Sequence, residues 1–206
     1  MWIRSRRRAN IEGVVDPNKS MALNRSRIEA LASEYAETEP LYTVEAEGIE
    51  TLPRAFSTGE YGWRDAVWVV RWFCRRSCNS GDGTARSAAE TEFENNEMDA
   101  VRDAIEQALR ARSVDDAVDG LSSLIGVDVP VASAFLFYID PSEYIVVGEN
   151  EWTALLEAGE LTEPYPDPPD ATDYGRYLGT CRELSERYGC DHWSLYRALW
   201  RSAGTE

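Results

Sequence analysis

Lysine and histidine are almost absent from this sequence, which has 20 arginines but only Lys19 and His192 as other basic side chains. Its 206 residues include 37 acidic ones, and the formal net charge is −16. A lysine-poor, carboxylate-rich surface is typical of proteins from salt-accumulating halophiles, in which it stays solvated. An acidic decoy for a basic partner is the alternative. The charge disfavours nucleic-acid binding without excluding it, because phosphate affinity falls steeply with salt.

The sequence also lacks an apolar run long enough to cross a membrane. Its N-terminus, MWIRSRRRAN, has no apolar core of the kind found in secretory signals. We therefore expect a cytoplasmic protein with no membrane partner, whose four cysteines stay reduced. A P-loop, a dinucleotide-binding fingerprint and a Ser-His-Asp order are absent, and we predict no cofactor.

Residues 1–20 differ from the rest of the chain because they carry five basic and two acidic residues. Since Met21 offers an alternative start, this segment is interpreted as a misannotated extension or a disordered arm. A basic tail that binds nucleic acid is the other interpretation. Residues 21–206 are long enough for a single helical domain.

Apolar spacing predicts helices almost throughout the chain. Outside the central stretch, they cover residues 23–37, 60–77, 86–112, 151–158, 172–188 and 192–203. Asn150 and Asp191 are the expected N-caps of two of these helices. The predicted connectors are residues 38–56, 79–84 and 160–173. Because the one strand-like run, 144–147, cannot make a sheet alone, we predict an all-α fold, an orthogonal multi-helix bundle.

The central stretch, residues 118–147, predicts two helices separated by a very short turn, and its first helix begins upstream at Ser113. Ser113 has the spacing of a capping residue for the first helix, and Gly126 is expected to end it. Asp128 is the expected N-cap of a second, strongly apolar helix, with Pro130 in its first turn.

The segment LSSLIGVDVPVASAFL resembles the helix-hairpin-helix of the DNA glycosylase superfamily, whose motif runs roughly L-P-G-V-G-x-x-x-A. The matching residues are Leu124, Gly126, Val127 and Ala132. The following YIVV run and the helix containing Trp152 also resemble that family, so the likeness is clearest over residues 118–158. It implies that backbone amides at the turn contact DNA phosphate, and the implied DNA-binding residues are Gly126, Val127, Asp128 and Val129.

This chain departs from the family pattern at the positions that carry the chemistry. Asp128 replaces the second glycine of the hairpin, Pro130 stands at the lysine position, and Gly148 stands at the aspartate position. Base excision needs a carboxylate near the cationic sugar or a lysine nucleophile. We therefore predict a catalytically degenerate protein, while the nearby carboxylates that could replace the aspartate are Glu149, Glu151, Asp140 and Glu143.

Arg64, Arg71 and Arg75 are spaced at i, i+7 and i+11, which places them on one face of the helix predicted over 60–77. They are interpreted either as solvated or carboxylate-paired side chains or as a phosphate-contacting ridge beside aromatic rings.

A metal site is a further hypothesis. Its candidate ligands are Cys74, Cys78, Cys181, Cys190 and His192. Their spacing matches neither a zinc ribbon nor a clustered iron–sulfur loop. Buried, reduced cysteines and a histidine in a packing role are the simpler interpretation.

Three functional hypotheses follow. The first is a glycosylase-like protein that has lost excision and binds DNA as an accessory or sensor. The second is a protein-interaction or structural module without nucleic-acid contact, with exposed aromatics near Trp63 or Tyr165 facing the partner. The third is an active glycosylase with a displaced carboxylate. The charge of the cleft between the hairpin and the 60–77 helix should discriminate them, since a positive cleft favours DNA and a negative one favours the second hypothesis.

Overall fold

The structure, a computed structural model, describes residues 22–77 and 90–203. Its helices are α1 (Arg25–Thr38), α2 (Tyr42–Thr58), α3 (Trp63–Ser77), α4 (Met98–Arg110), α5 (Val114–Ser122), α6 (Val129–Ile139), α7 (Glu149–Glu157), α8 (Ala171–Tyr188) and α9 (His192–Ala203). A short helical segment also covers residues 90–93, and no strand occurs in the two described ranges. The predicted all-α bundle is therefore confirmed.

Helix α6 lies at the centre of the core because all its residues from Pro130 to Ile139 are buried. Helices α2, α3, α5 and α8 pack against it. A helix that is apolar on all sides is stable only inside the molecule.

The turn before α6 follows the predicted sequence signals. The hydroxyl of Ser113 caps α5 by accepting a hydrogen bond from the N–H of Asp116. The carboxylate of Asp128 caps α6 by accepting one from the N–H of Val131, at 3.0 Å. Gly126 has φ +75°, a conformation that favours glycine. The two helices are thus separate, while their identity as a glycosylase-type hairpin stays a prediction.

The apolar run at 144–147 forms no regular secondary structure. Side chains satisfy its buried backbone: Tyr174 donates to the carbonyl of Ile145, Tyr177 donates to the carbonyl of Val146, and Ser133 accepts from the N–H of Val147. Because buried backbone groups need such partners, these bonds fix the start of α7, which follows directly.

The prediction of a connector over 38–56 is wrong, because α2 covers most of that segment. Its buried face contains Glu45, Gly48, Leu52 and Phe56. Two of these four residues are not apolar, so the sequence does not show the apolar spacing that is typical of a helix. Pro53 lies inside the helix, where it removes one backbone hydrogen bond.

Two further boundaries differ from the prediction. The helix expected over 86–112 is interrupted at 94–97 in its described part, and α4 is not fully solvated, since Val101 and Ile105 are buried. Helix α7 has Gly148 rather than Asn150 at its N-cap, so Glu149 and Glu151 both lie in its first turn, where acidic side chains favour the helix dipole. The predicted loop at 79–84 and the segment 1–20 lie outside the described residues.

The last helix begins at its predicted position, and α8 begins at Ala171, one residue before its predicted start. Asp170 and Asp173 form a capping box at the start of α8. Asp191 accepts a hydrogen bond from the N–H of Ser194 and caps α9. Within the described ranges, none of the helices is both long and apolar enough to span a membrane.

Candidate functional site

Two cavities lie on different sides of α3. The first, called here the acidic cavity, has a volume of about 400 Å³ and lies between α3, the start of α6 and the start of α7. The second, called here the arginine–tryptophan groove, has a volume of about 390 Å³ and lies between α2 and α3.

Glu151 is the buried carboxyl group of the acidic cavity, with 5% of its surface exposed. Burial raises its pKa to about 7, although its own backbone N–H and the charge of Arg76 act in the opposite direction. A Cβ at position 148 would lie 2.6 Å from Oε2 of Glu151. The glycine that replaces the expected aspartate therefore leaves the space that the Glu151 carboxyl group occupies.

Arg76 is the buried cation of the same cavity and is 6% exposed. Its Nη1 contacts Glu45 at 3.2 Å and Glu39 at 3.3 Å, and its Nε donates to the hydroxyl of Tyr196 at 3.0 Å. The guanidinium also lies 4.0 Å from the ring centroid of Trp200. Its Nη2 is buried and has no hydrogen-bond acceptor among the described residues.

The acidic cavity carries more negative than positive groups. Asp128, Glu149 and Glu151 line it, and Arg76 is the cation among its lining residues. The carboxylates of Glu39 and Glu45 already contact Arg76. This cavity is the cleft between the hairpin and the 60–77 helix. Its net negative charge favours the second hypothesis, a module without nucleic-acid contact.

The hairpin backbone is partly committed to internal bonds. The N–H of Ile125 donates to Asn96 at 2.9 Å, and that of Val127 donates to the carbonyl of Leu124. Gly126 is close to the backbone of Phe93, since a Cβ there would lie 2.9 Å from its nitrogen. Fewer amides therefore face outward than the resemblance implied. Val129 is half-buried.

The arginine–tryptophan groove brings the predicted arginine face together. Arg64, Arg71 and Arg75 line it and are all exposed. Arg71 pairs with Glu94 at 2.8 Å and with Glu90 at 3.4 Å. Arg64 and Arg75 form no ion pair within the described residues. The predicted DNA-binding residues are thus divided, because Asp128 lines the acidic cavity and the arginines line the groove.

Aromatic rings form the floor of the groove. Trp63 stacks on Phe93 with ring centroids 5.6 Å apart, and Trp68 packs edge-to-face on Tyr138 at 5.1 Å. Both tryptophans keep part of their surface exposed. Val44 borders the groove and is 46% exposed.

The other carboxylate candidates are elsewhere. Asp140 and Glu143 line a separate cavity with Tyr144 and Arg54. Glu143 also pairs with Arg182 at 3.2 Å. Of the four candidates, only Glu149 and Glu151 share the acidic cavity.

The candidate metal ligands do not form a cluster in the part of the chain that the structure describes, where no group of three or more such side chains could hold an ion. Cys74 and Cys181 are buried and Cys190 is half-buried, while Cys78 lies outside the described residues. Burial raises the pKa of both Cys181 and Cys190. Burial lowers the pKa of His192, whose Nδ1 lies 3.2 Å from the carbonyl of Tyr144. His192 therefore has a packing role.

Sequence reasoning missed Arg76 and Glu45. Arg76 adjoins the predicted arginine face, but it lies on the buried side of α3, and Glu45 was placed in a connector. The signal that could have identified Arg76 is its i, i+3 relation to Phe73, which points to the cavity side of the helix.

No family model, curated protein or solved structure matches this chain. The resemblance to the glycosylase superfamily therefore stays a prediction from the sequence.

Proposed function

We propose that this protein is a non-enzymatic interaction module that binds an acidic segment of a protein partner in the arginine–tryptophan groove. The observation that carries this proposal is the pair Arg64 and Arg75, which flank partly exposed tryptophan rings and form no ion pair in the part of the chain that the structure describes. The two carboxylates that also line the groove are engaged elsewhere, since Glu94 pairs with Arg71 and Glu45 pairs with Arg76. Arginine and tryptophan are the side chains most often responsible for binding energy at protein interfaces.

The surroundings of the groove favour a peptide over DNA. A duplex needs an extended basic surface, because its affinity comes from many phosphate contacts. Here one of three arginines is already paired with two glutamates, and the neighbouring cavity is acidic. A peptide needs only a local contact. Its acidic side chain would contact Arg64 or Arg75, and a neighbouring apolar side chain would contact Trp68 or Val44.

The absence of enzymatic activity is proposed from the hairpin. Pro130 and Gly148 stand where excision chemistry would need a lysine and an aspartate. The observation that favours the alternative is Glu151, because a buried carboxyl group with a pKa of about 7 is suited to proton transfer at neutral pH. Base release from damaged DNA by the unaltered protein, lost in Glu151→Gln, would contradict this part of the proposal.

The binding test uses a fluorescein-labelled synthetic peptide in which glutamates flank two leucines, titrated in dilute and in concentrated potassium chloride. We expect saturable binding that weakens at least about tenfold when Arg64→Glu and Arg75→Glu are combined, since like charges across an interface are strongly unfavourable. Arg54→Glu is the matched control, because this exposed arginine lies on α2 and lines a different cavity.

Two further probes separate the hypotheses. A peptide with serines in place of the leucines should bind more weakly, because it cannot cover the tryptophan rings. Duplex and single-stranded DNA should not bind, and Asp128→Gly should not change this. Tight DNA binding that improves in Asp128→Gly would support the first hypothesis of the sequence analysis and overturn the present one.

A further inference from the structure

We propose that the partner segment binds in the arginine–tryptophan groove as an α-helix with acidic side chains at positions i and i+11 and apolar side chains at i+4 and i+7. This inference rests on the proposed function, because it specifies the partner of the same groove. Three features of the groove carry it, namely the spacing of its α3 side chains, the distribution of its charge and the helical structure of its walls.

Four side chains of α3 that line the groove share one face of the helix. They are spaced at i, i+4, i+7 and i+11, and they are Arg64, Trp68, Arg71 and Arg75. Positions with this spacing lie within about 60° of one another around the axis, and a rise of about 1.5 Å per residue separates the first from the last by about 16 Å. Arg64 and Arg75, which form no ion pair among the described residues, therefore mark the two ends of this face.

The unpaired charge of this face lies at its ends. In the middle, Arg71 is neutralised by Glu94 at 2.8 Å and by Glu90 at 3.4 Å. Trp68 also lies in the middle, and Val44 borders the groove from α2. A partner that complements this face therefore needs an acidic side chain near each end and apolar side chains between them.

The Trp68 ring has a fixed orientation. It packs edge-to-face on Tyr138 with ring centroids 5.1 Å apart. A Cβ at position 48 would lie 3.1 Å from the ring, so the backbone of Gly48 also packs closely against it. Because the ring is already ordered, little conformational entropy is lost when a partner covers its exposed part.

Acidic side chains border the other side of Trp68. A cavity of about 180 Å³ adjoins the groove there and shares Val44 and Trp68 with it. Glu47 and Asp65 line this cavity and would repel a carboxylate. The acidic residues of the partner must therefore lie together on the side that faces the arginines, which a helix achieves with the spacing of i and i+11.

The walls of the groove favour a helical partner over an extended one. Apart from Leu41 and Glu94, all its lining residues belong to α2 or α3. The backbone groups of these walls are bonded within their own helices, so an extended segment would find few partners for its buried backbone. A helical segment satisfies its own backbone and repeats the side-chain spacing of α3.

The test compares three fluorescein-labelled peptides of identical composition by fluorescence anisotropy with the full chain, in dilute potassium chloride, where ion pairs are least screened. All have leucines at i+4 and i+7 and a first glutamate at i, while the second glutamate is at i+11, i+9 or i+5. Position i+9 lies on the opposite face of a helix. Position i+5 is the one that spans about 16 Å in an extended segment, at about 3.3 Å per residue.

We expect the i+11 peptide to bind at least about fivefold more tightly than the other two, which is the upper end of the range for one exposed ion pair. Proline at its outward-facing position i+6 should weaken binding at least about tenfold, because proline breaks a helix.

Variants assign the two glutamates to the two arginines. Arg64→Gln and Arg75→Gln should each weaken binding of the i+11 peptide by about fivefold. With the i+9 peptide, one of the two variants should have no effect, because only one glutamate reaches the groove. Arg54→Gln is the matched control, since this exposed arginine lies on α2 and lines a different cavity. Far-UV circular dichroism checks that each variant is folded.

The outcomes separate this inference from the proposed function. Equal binding of the three peptides, weakened by Arg64→Gln and Arg75→Gln, would leave the groove as an acidic-peptide site but overturn the helical partner. Tightest binding of the i+5 peptide, or no effect of the proline, would show an extended partner and overturn it as well. If none of the peptides binds, or if both arginine variants leave binding unchanged, the proposed function fails together with this inference.

Discussion

Gly126 adopts a left-handed backbone conformation in the turn between α5 and α6. Its φ is +75°, and the backbone nitrogen of Phe93 leaves no room for a Cβ. Gly59 provides a comparison at φ +73° with nothing within 4 Å. The two sites therefore separate the conformational effect of a side chain from its steric effect.

We predict that Gly126→Ala lowers the free energy of unfolding by about 3 kcal/mol, because left-handed strain and a clash with rigid backbone both contribute. Gly59→Ala should lower it by only about 1 kcal/mol, since strain acts there alone. Urea denaturation monitored by tryptophan fluorescence measures both. Equal losses at the two positions would contradict the close approach at Phe93.

Glu151 makes stability depend on pH. Its pKa rises from 4.5 to about 7 on folding, so the folded state holds this proton more tightly than the unfolded state. The stabilising contribution is therefore complete below pH 4.5 and is lost as the pH rises to 7. The total change is on the order of 3 kcal/mol.

We predict that Glu151→Gln removes this dependence. The difference in unfolding free energy between the variant and the unaltered protein should increase in favour of the variant from pH 4.5 to 7 and stay constant above it. Urea denaturation at several pH values tests this, with Glu157→Gln as an exposed control on the same helix. A difference that does not vary with pH would mean that the carboxyl group is solvated.

At the scale of elements, Glu45 connects α1, α2 and α3. It is fully buried and accepts hydrogen bonds from the hydroxyl of Tyr35 at 2.7 Å, from the indole of Trp72 at 2.8 Å and from Arg76. Burial raises the pKa of Glu45, whereas Arg76, Trp72 and Tyr35 act to lower it. Removing the carboxylate would leave the Tyr35 hydroxyl and the Trp72 indole without this acceptor, and Arg76 would keep only Glu39 as an ion-pair partner.

We predict that Glu45→Leu destabilises the protein by about 3–5 kcal/mol, as expected when one partner of a buried ion pair is removed. Glu45→Gln should be less harmful because its carbonyl still accepts a hydrogen bond. Glu29→Leu is the control, since Glu29 is an exposed partner of Arg25, and its effect should be small. Thermal unfolding of the three variants measures the order of their stabilities.

The elements that the sequence predicted well are those with local signals. Ser113, Gly126 and Asp128 act on backbone groups within a few residues of themselves. Their roles could therefore be predicted from their spacing in the sequence. Helix α2 was not predicted because its buried face includes Glu45 and Gly48, which are acceptable there only through contacts with α1, α3 and α6. A Cβ at position 48 would lie 3.1 Å from Trp68 and 3.2 Å from Tyr138.

The candidate site was predictable only in part, for the same reason. The arginine face follows from a helical period and was predicted. The acidic cavity needs Arg76 from α3 to meet Asp128 and Glu151, which are far away in sequence. Glu45 and Tyr196, which hold the Arg76 guanidinium in place, also come from distant parts of the sequence.

At the scale of the whole molecule, negative charge exceeds positive charge by 16. Several arginines pair with carboxylates on distant elements, such as Arg201 with Glu34 at 2.6 Å and Arg187 with Glu160 at 3.0 Å. Ion pairs at or near the surface contribute little individually. The remaining carboxylates repel one another, and this repulsion is greater in the folded state because folding brings them closer together.

We therefore predict that potassium chloride stabilises the protein strongly, with a melting temperature that rises by about 10 °C between dilute buffer and molar salt, since a few kcal/mol produce a shift of this size. The Debye length falls to about 3 Å at 1 M, so screening should be nearly complete there and the curve should flatten. A variant in which the exposed residues Glu92, Glu97, Asp115 and Asp119 are replaced by their amides should start at a higher melting temperature and respond less to salt. Sucrose, which stabilises folded proteins without screening charge, should affect the variant and the unaltered protein equally. A melting temperature that is independent of salt in both proteins would mean that the acidic surface has no role in stability under these conditions, and the expectation of a halophile-type protein would then lose its physical basis.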